Sequence, residues 1–202
     1  ASAGDQSAAF YASVMNDPSK ALVNLGTGGF VIRYLDGKTK PLDGFLQTLV
    51  YQDQNYTAYM ASEGTLNSIS SALAPYPSWE CNIDDFATSN ILCLAEPSGL
   101  GAPYFCGDIG LRFSESTEHL MPKQIATLLL EAIVFRVVRI LEAYHQQSPL
   151  SQVYLSGGLS ELTCLQQGIA QCVSFPILHL QQKEASLLGA AMLAAGNNSH
   201  IF

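Results

Sequence analysis

An early apolar, β-rich stretch interrupted by glycine is the clearest pattern in the chain. Residues 21–35 read ALVNLGTGGFVIRYL, in which two apolar runs flank Gly26, Thr27, Gly28 and Gly29. This arrangement predicts a β-hairpin. Because glycine accepts a positive φ and has no side chain, we expect the turn to present several peptide N–H groups on one concave surface, as a phosphate requires. A plain tight hairpin is the alternative, since glycine is a common turn residue.

The apolar runs that follow predict an alternation of strands and helices. Two further strands are expected over 45–51 and 56–61, the second ending at residues 62–64 and leading into a helix over 65–73 that two prolines end. The later elements are a strand over 91–95, a long helix over 123–145, a strand over 152–156, a helix from Ser160 to about residue 172, a strand over 175–180 and a helix over 184–195. This order is typical of an α/β fold, with one mixed sheet and helices packed on it.

A second glycine corner lies where the strand over 152–156 runs into Gly157 and Gly158. Ser160 follows as the expected N-cap of the next helix. A strand, a diglycine and a helix N-terminus in this order can form an anion or nucleotide site, because free N–H groups and the positive end of the dipole face the loop. A purely structural turn is the alternative, since such turns are common in α/β proteins.

The long helix carries four charged residues near its middle and end. At 100° per residue, Glu131, Arg139 and Glu142 fall within about 80° of one another, which predicts a solvated stripe. Arg136 stands about 140° from Glu131. We interpret Arg136 as a snorkelling arginine at the edge of the helix.

Charge and length narrow the classes of ligand. The 202 residues suffice for one substantial core or two small ones, and a net charge of −8 argues against binding to nucleic acid or to an anionic membrane. A phosphate ligand would therefore be held by backbone amides, a few side chains and a divalent cation. Only 13% of the residues are charged, so we expect part of the surface to be covered by another domain or by a second subunit.

Cysteine usage and the chain ends suggest a cytoplasmic fragment. The five cysteines lack metal-ligand spacing, and their odd number argues against a complete disulfide framework, so we expect reduced thiols. The apolar stretch ASLLGAAMLAAG is too short to span a bilayer and predicts a buried helix. We see no signal peptide. The chain opens abruptly on Ala1 with Asp5 already in place, and we expect that it starts in the middle of a protein.

Four separated stretches resemble the FGGY carbohydrate kinases, a family that includes the glycerol kinases and several pentulose kinases. They read AGDQSAAFYA, LVNLGTGGFVI, SGLGAPYF with the following GDIGL, and YLSGGLSELTCLQQGIAQ with the later KEASLLGAAMLAAG. The resemblance implies the actin-like ATPase, ribonuclease-H-like fold, in which two lobes close on each other. Residues 1–202 would be the C-terminal, nucleotide-binding lobe, and the N-terminal lobe, which holds most of the sugar, is absent from this chain.

The resemblance also implies roles for single residues. Asp5 is similar to the catalytic base and is expected to serve the Mg²⁺ of the reaction, and Gln6 is similar to the residue that contacts a substrate hydroxyl. A carboxylate is what phosphoryl transfer to an alcohol needs in order to accept the hydroxyl proton. Gly26, Thr27 and Gly28 resemble the turn that contacts the phosphates of ATP.

The family's adenosine site is implied at the second corner. Gly158 resembles the glycine beside the adenosine, with Gly157 allowing a close approach. The chain departs from the family in having Ala132 in place of a glycine, Arg136 in place of a glutamine and Leu162 in place of an asparagine near the adenine. Each of these three residues, Ala132, Arg136 and Leu162, is therefore expected to alter base or ribose contacts.

Three functions remain open for such a chain. The first is ATP- and Mg²⁺-dependent phosphorylation of a hydroxyl of a sugar or polyol. The second is a non-catalytic actin-like domain that holds a nucleotide or a partner chain, as in a pseudokinase, and the third is an ATPase or regulatory domain of the same fold. The sugar or polyol is not specified, and a homodimer is possible.

Overall fold

A six-stranded mixed sheet is the centre of the fold. The structure, a computed structural model, describes residues 5–180 and 185–195. The strands are β1 (Lys20–Leu25), β2 (Gly29–Leu35), β3 (Leu46–Gln52), β4 (Ala58–Leu66), β5 (Cys93–Leu94), β6 (Arg112–Phe113), β7 (Gln152–Ser156) and β8 (Ile177–His179). The helices are α1 (Asp5–Val14), α2 (Ile69–Leu73), α3 (Pro122–Gln147), α4 (Thr163–Cys172) and α5 (Ala185–Ala195). Strands β5 and β6 form a separate two-stranded sheet.

The main sheet has the order β3-β4-β2-β1-β7-β8. Strands β1 and β2 form the predicted hairpin, with Leu25 opposite Gly29, and the β2–β4 and β3–β4 pairs are also antiparallel. Strand β7 pairs parallel to β1, and β8 pairs parallel to β7. Because parallel strands end at the same edge of a sheet, β1 and β7 finish side by side. We call this edge the carboxyl edge.

Helices cover both faces of the sheet, as the α/β prediction requires. Side chains alternate along β1, so that Ala21, Val23 and Leu25 enter a core that includes α3 and α4, whereas Leu22 enters a second core with α1. The second core also includes residues of α5 that are partly buried. The mixed sheet with helices packed on it is therefore confirmed.

Helix α3 is the main element on its face, because a run of aliphatic residues makes most of it buried. It starts with Pro122 in the first turn, where the missing N–H has no helical partner to lose. Its last turn is held by Arg33 of β2, whose guanidinium is 2% exposed and donates to the carbonyl oxygens of Tyr144 at 2.6 Å and of Pro18 at 2.7 Å. One buried arginine thus ties the last turn of α3, through the Tyr144 carbonyl oxygen, to the connection before β1, through the Pro18 carbonyl oxygen.

The helix predicted over residues 65–73 is wrong in its first half. Strand β4 continues through Leu66, which pairs with Gly29 of β2, and α2 begins only at Ile69. Gly64 lies within this strand, and a Cβ there would meet the side chain of Ile140 at 2.8 Å. Pairing with β2 and close packing under α3 therefore override the local pattern.

The predicted solvated stripe on α3 is only partly correct. Arg139 and Glu142 are exposed and lie 3.6 Å apart, but Glu131 is half-buried and accepts the backbone N–H of Ala87. Burial raises the pKa of Glu131 above its ordinary value. The irregular segment before β5 covers this carboxylate, which periodicity on a single helix cannot indicate.

The described residues include every cysteine of the chain. All five are free thiols. Within the described ranges, no group of histidine, cysteine, aspartate or glutamate side chains is arranged to hold a metal ion. A search of those same ranges for helices of the length and apolarity needed to cross a bilayer finds none.

Candidate functional site

The two glycine corners meet at the carboxyl edge of the sheet. Asn24 pairs with Ser156 across the parallel β1–β7 ladder, and the Asn24 Nδ2 donates to the Ser156 Oγ at 2.9 Å. The next residues of the two strands are also in contact, because a Cβ at Gly157 would lie 2.5 Å from the Leu25 carbonyl oxygen. The chain thus places the turn after β1 and the diglycine after β7 side by side.

Close packing, and not a positive φ, explains the glycines in the hairpin turn. None of the three turn glycines has a positive φ. A Cβ at Gly28 would lie 2.9 Å from the Leu66 carbonyl oxygen, and one at Gly29 would lie 3.1 Å from the Leu25 side chain. A Cβ at Gly26 would meet described atoms only at 3.8 Å. The expected role of positive φ is therefore wrong for this turn, and its glycines allow it to pack against the end of β4.

Thr27 is exposed at the tip of the turn and is held by its backbone. Its carbonyl oxygen accepts the backbone N–H and the side-chain hydroxyl of Ser70, each at 3.1 Å. Among the described residues, no hydrogen bond engages the backbone N–H of Thr27 or of Gly28. A fixed turn with unpaired amide donors can accept an anionic oxygen without rearrangement.

The second corner combines one constrained and one open glycine. Gly157 has φ 89°, a conformation that side-chain-bearing residues rarely adopt, and its Cα faces Leu25. Gly158 is exposed, and a Cβ there would have no described atom within 4 Å. The space over Gly158 can therefore receive a ligand.

Ser160 does not cap the helix that follows, which corrects the expectation. Residues Gly158–Glu161 form a 3₁₀ turn, and Leu162, with φ −70° and ψ 110°, interrupts the helical backbone before α4 begins at Thr163. The Ser160 hydroxyl instead donates to the Gly157 carbonyl oxygen at 2.6 Å. The helix N-terminus is thus displaced from the diglycine by one 3₁₀ turn.

Leu162 and Arg136, both expected near the nucleotide, have clear contacts with the protein itself. Leu162 is half-buried and packs against the core on the α3 side of the sheet. Arg136 is 8% exposed, so its interpretation as a snorkelling arginine is wrong. Its Nε donates to the Glu96 carboxylate at 2.6 Å, and its guanidinium carbon lies 4.9 Å from the centre of the Tyr104 ring. Contacts of either residue with a nucleotide stay predictions.

Glu96 is the residue of this region that the sequence analysis missed. Its carboxylate is 1% exposed and accepts the backbone N–H of Asn67 at 2.8 Å and of Gly101 at 2.9 Å, besides the Arg136 guanidinium. Asn67 follows β4 directly and leads into the segment whose Ser70 holds the hairpin turn. The sequence signal that could have indicated Glu96 is a single carboxylate at the end of the apolar run ILCLAE. A carboxylate that follows a buried strand is itself expected to be buried, and a buried charge requires a partner.

Asp5 and Gln6 begin α1, a helix that the sequence analysis did not predict, and their side chains lie outside the described part of the structure. The direction of α1 is nevertheless clear. The Ser7 hydroxyl donates to the Leu49 carbonyl oxygen at 3.1 Å, and the Tyr11 ring lies 5.2 Å from the Tyr51 ring. Helix α1 therefore runs along β3 and opposite to β1, so its first residue lies toward the carboxyl edge.

Comparison with known proteins identifies counterparts for most of the chain. Residues 21–197 match the FGGY family of carbohydrate kinases, C-terminal domain. The glycerol kinase of Limosilactobacillus reuteri is 27% identical over 206 residues, which cover 95% of this chain and 41% of that protein. The glycerol kinase of Trichodesmium erythraeum is 28% identical over 208 residues, with the same shares of both chains. The chain thus spans about two fifths of the length of these relatives.

Solved structures show the same fold. A crystal structure of Plasmodium falciparum glycerol kinase with ADP has a TM-score of 0.76 and 23% identity, over 94% of this chain and 40% of that one. A xylulose kinase from Rhodospirillum rubrum has a TM-score of 0.74 and 18% identity, over 97% of this chain and 42% of its own. The described sheet and helices therefore have the actin-like ATPase fold of these kinases.

Proposed function

The chain belongs to the FGGY family of carbohydrate kinases, and we propose that it is the nucleotide-binding lobe of an enzyme that phosphorylates a hydroxyl of a sugar or polyol with ATP. The observation that carries this proposal is the meeting of two glycine corners at one edge of the sheet. The turn after β1 offers the free N–H groups of Thr27 and Gly28, and the corner after β7 offers open space over Gly158. A single ligand can contact both corners.

The chemistry of the corners suits a nucleotide. Backbone amides can donate to phosphate oxygens without adding a bulky or charged side chain. The open glycine surface at Gly158 can receive a flat or bulky group at van der Waals distance. A net charge of −8 supplies no general attraction for a triphosphate, so local donors and a cation must offset its charge.

In this proposal the residues of the chain act on the acceptor hydroxyl and on the phosphates. Asp5 accepts the hydroxyl proton and is the residue proposed to hold Mg²⁺, while Gln6 donates to or accepts from a substrate hydroxyl. The start of α1 toward the carboxyl edge supports this role for Asp5. ATP supplies the phosphoryl group, and Mg²⁺ neutralises charge on the phosphate oxygens. The turn amides orient those oxygens for transfer.

The sugar site is proposed to lie mostly in a lobe that precedes this chain. The curated relatives are more than twice as long as the matched region, which supports a second lobe. A surface with few charges and with exposed residues such as Trp79, Leu92 and Phe135 supports some cover by another part of the protein. On this view, the 202-residue chain binds nucleotide weakly and phosphorylates nothing without its partner lobe.

The decisive test replaces Asp5 by asparagine in the complete two-lobed protein. We expect the phosphorylation rate, assayed with a panel of polyols and ketoses, to fall about 10²- to 10⁴-fold, because a general base is lost. The dissociation constant for ATP should change by no more than a few-fold. The exposed Asp43 provides the matched control, and Asp43→Asn should leave both quantities unchanged. Retained turnover in Asp5→Asn would remove Asp5 from the mechanism, and a wild-type protein that binds no nucleotide would refute the kinase proposal.

A further inference from the structure

We propose that Ser160 and His179 are positioning residues that orient the Gly157–Gly158 peptide toward the nucleotide. The proposal rests on the proposed function and adds to it two residues that do not themselves reach the ligand. Ser160 is 1% exposed and lies behind the diglycine corner. His179 lies at the end of β8, the strand next to β7.

The three groups form a continuous hydrogen-bond relay. The Ser160 hydroxyl donates to the Gly157 carbonyl oxygen at 2.6 Å, and the Nε2 of His179 lies 3.1 Å from the Ser160 Oγ. The Ser160 backbone N–H also donates to the Gly157 carbonyl oxygen, at 3.0 Å. That carbonyl therefore has two donors from one residue.

The proton count sets the direction of the relay. A hydroxyl has one hydrogen, and the short contact with the Gly157 carbonyl oxygen uses it. The Ser160 Oγ is then an acceptor toward the histidine, so His179 carries a hydrogen on Nε2 and donates. The Glu161 carboxylate lies 3.6 Å from the same Nε2, but this side chain is 72% exposed and the pair is weak in water.

Peptide planarity carries the effect from Gly157 to Gly158. The peptide bond between them is trans, the ordinary form for a residue that is not proline, and it is not among the cis bonds of the described residues. In a trans peptide the C=O and the next N–H point in opposite directions. With the Gly157 carbonyl held inward by Ser160, the Gly158 N–H points away from Ser160, and no hydrogen bond between described residues engages it.

A diglycine needs such an anchor more than other sequences do. Glycine has the widest choice of backbone conformations, so a peptide between two glycines rotates readily unless it is held. Strand β8 makes the anchor rigid, since His179 pairs with Leu155 and the backbone N–H of Leu180 donates to the Leu155 carbonyl oxygen at 2.8 Å. The relay thus connects a sheet strand to the Gly157–Gly158 peptide, whose N–H is left without a partner among the described residues.

The first experiment measures kinetics in the complete two-lobed protein with Ser160→Ala and His179→Leu. We expect the KM for ATP to rise about three- to tenfold in each variant, which corresponds to one weakened hydrogen bond. The kcat and the KM for the sugar or polyol should stay within twofold. His179→Gln, which keeps an N–H donor, should recover part of the loss, and the double variant should be no worse than Ser160→Ala alone, because both residues act through one relay.

The matched control is Thr127→Val, which removes the hydroxyl of a buried residue of α3 that also donates to a carbonyl oxygen, that of Lys123, at 3.0 Å. It should leave the KM for ATP unchanged. An equal rise in Thr127→Val would mean that loss of any buried, hydrogen-bonded hydroxyl weakens nucleotide binding through stability, and would overturn the proposal. An unchanged KM for ATP in Ser160→Ala would overturn it as well.

A second experiment separates the relay from the kinase function. The protein is labelled with ¹⁵N-glycine, and the amide signals are recorded without nucleotide. We expect the Gly158 signal to broaden or to exchange faster with water in Ser160→Ala, and to be unchanged in Thr127→Val. If the wild-type protein bound no nucleotide, the kinase proposal would fail, while this signal would still decide whether the relay holds the peptide. A Gly158 signal that is the same in Ser160→Ala and wild type would refute the relay.

Discussion

Two adjacent glycines allow one test that separates folding from ligand binding. Gly157 and Gly158 occupy the same corner but differ in what a methyl group would meet. At Gly157 a Cβ would lie 2.5 Å from the carbonyl oxygen and 2.7 Å from the carbonyl carbon of Leu25, while at Gly158 it would have no described atom within 4 Å. The same substitution, glycine to alanine, therefore probes two different things.

Gly157→Ala should destabilise the protein. The contacts with Leu25 are backbone contacts, which cannot move aside as a flexible side chain can. Overpacking costs about 1–3 kcal/mol. The backbone of Gly157, with φ 89° and ψ 160°, lies in a region that is essentially restricted to glycine, and this costs a residue with a Cβ about 1–3 kcal/mol more. We expect the free energy of unfolding to fall by about 2–6 kcal/mol.

Gly158→Ala should leave the fold intact and weaken nucleotide binding. Its φ is outside the left-handed region, so alanine fits the backbone and can even add about 0.4–1 kcal/mol by restricting the unfolded chain. If ATP packs over Gly158, the new methyl group occupies the ligand's space. We expect the dissociation constant for ATP to rise about tenfold or more, which corresponds to about 1.4 kcal/mol.

The assay combines urea denaturation with titration calorimetry on the complete two-lobed protein. The expected pattern is a stable Gly158→Ala that binds ATP poorly and a Gly157→Ala that is destabilised. Wild-type affinity in a folded Gly158→Ala would show that no nucleotide lies over this glycine, and the placement of the adenosine at the second corner would be refuted. Loss of stability in Gly158→Ala would contradict the open space that the structure shows.

Three further predictions concern the hairpin turn, the buried ion pair and a thiol. Thr27→Val should weaken ATP more than AMP in calorimetry if the hydroxyl contacts the outer phosphates, whereas equal losses for both would count against that contact. Glu96→Gln should lower the free energy of unfolding by about 3–5 kcal/mol, because it leaves the Arg136 guanidinium charged and buried without its carboxylate partner. The double variant Glu96→Gln with Arg136→Met should recover most of that loss in urea denaturation, and no recovery would mean that loss of the ion pair is not the cause. Burial raises the pKa of Cys93 to about 12, so iodoacetamide at pH 8 should modify exposed Cys172 first and Cys93 only after denaturation, whereas rapid labelling of native Cys93 would contradict the raised pKa. Because the pKa of Cys93 is higher in the folded protein, its contribution to the free energy of unfolding is complete below the ordinary thiol pKa near 9 and is lost as the pH rises toward 12.

Most elements of the fold could be read from local patterns. The hairpin over 21–35, the long helix after Pro122 and the strand over 152–156 depend on hydrophobic periodicity and on glycine and proline signals within a few residues. Their observed bounds are close to the predicted ones. The short helix over 69–73 was misplaced because long-range pairing of β4 with β2 decides where the strand ends.

Local sequence patterns predicted only part of the candidate site. Both glycine corners stood out in the sequence, but the reasons for their glycines did not. Gly28 is required by the Leu66 carbonyl oxygen and Gly157 by Leu25, each a contact between different strands. Buried Glu96 and Arg136, and the relay from His179 to Ser160, likewise join segments that are far apart in the chain.

Local composition and spacing were therefore enough to establish the α/β class, the succession of most elements and the two glycine corners, because each depends on neighbouring residues along the backbone. Which charges pair in the core, where β4 ends, and that the two corners lie side by side became evident from the folded chain. These features depend on the parallel pairing of β1 with β7 and on the packing of α3 against the sheet. Such contacts are made between residues that no local pattern connects.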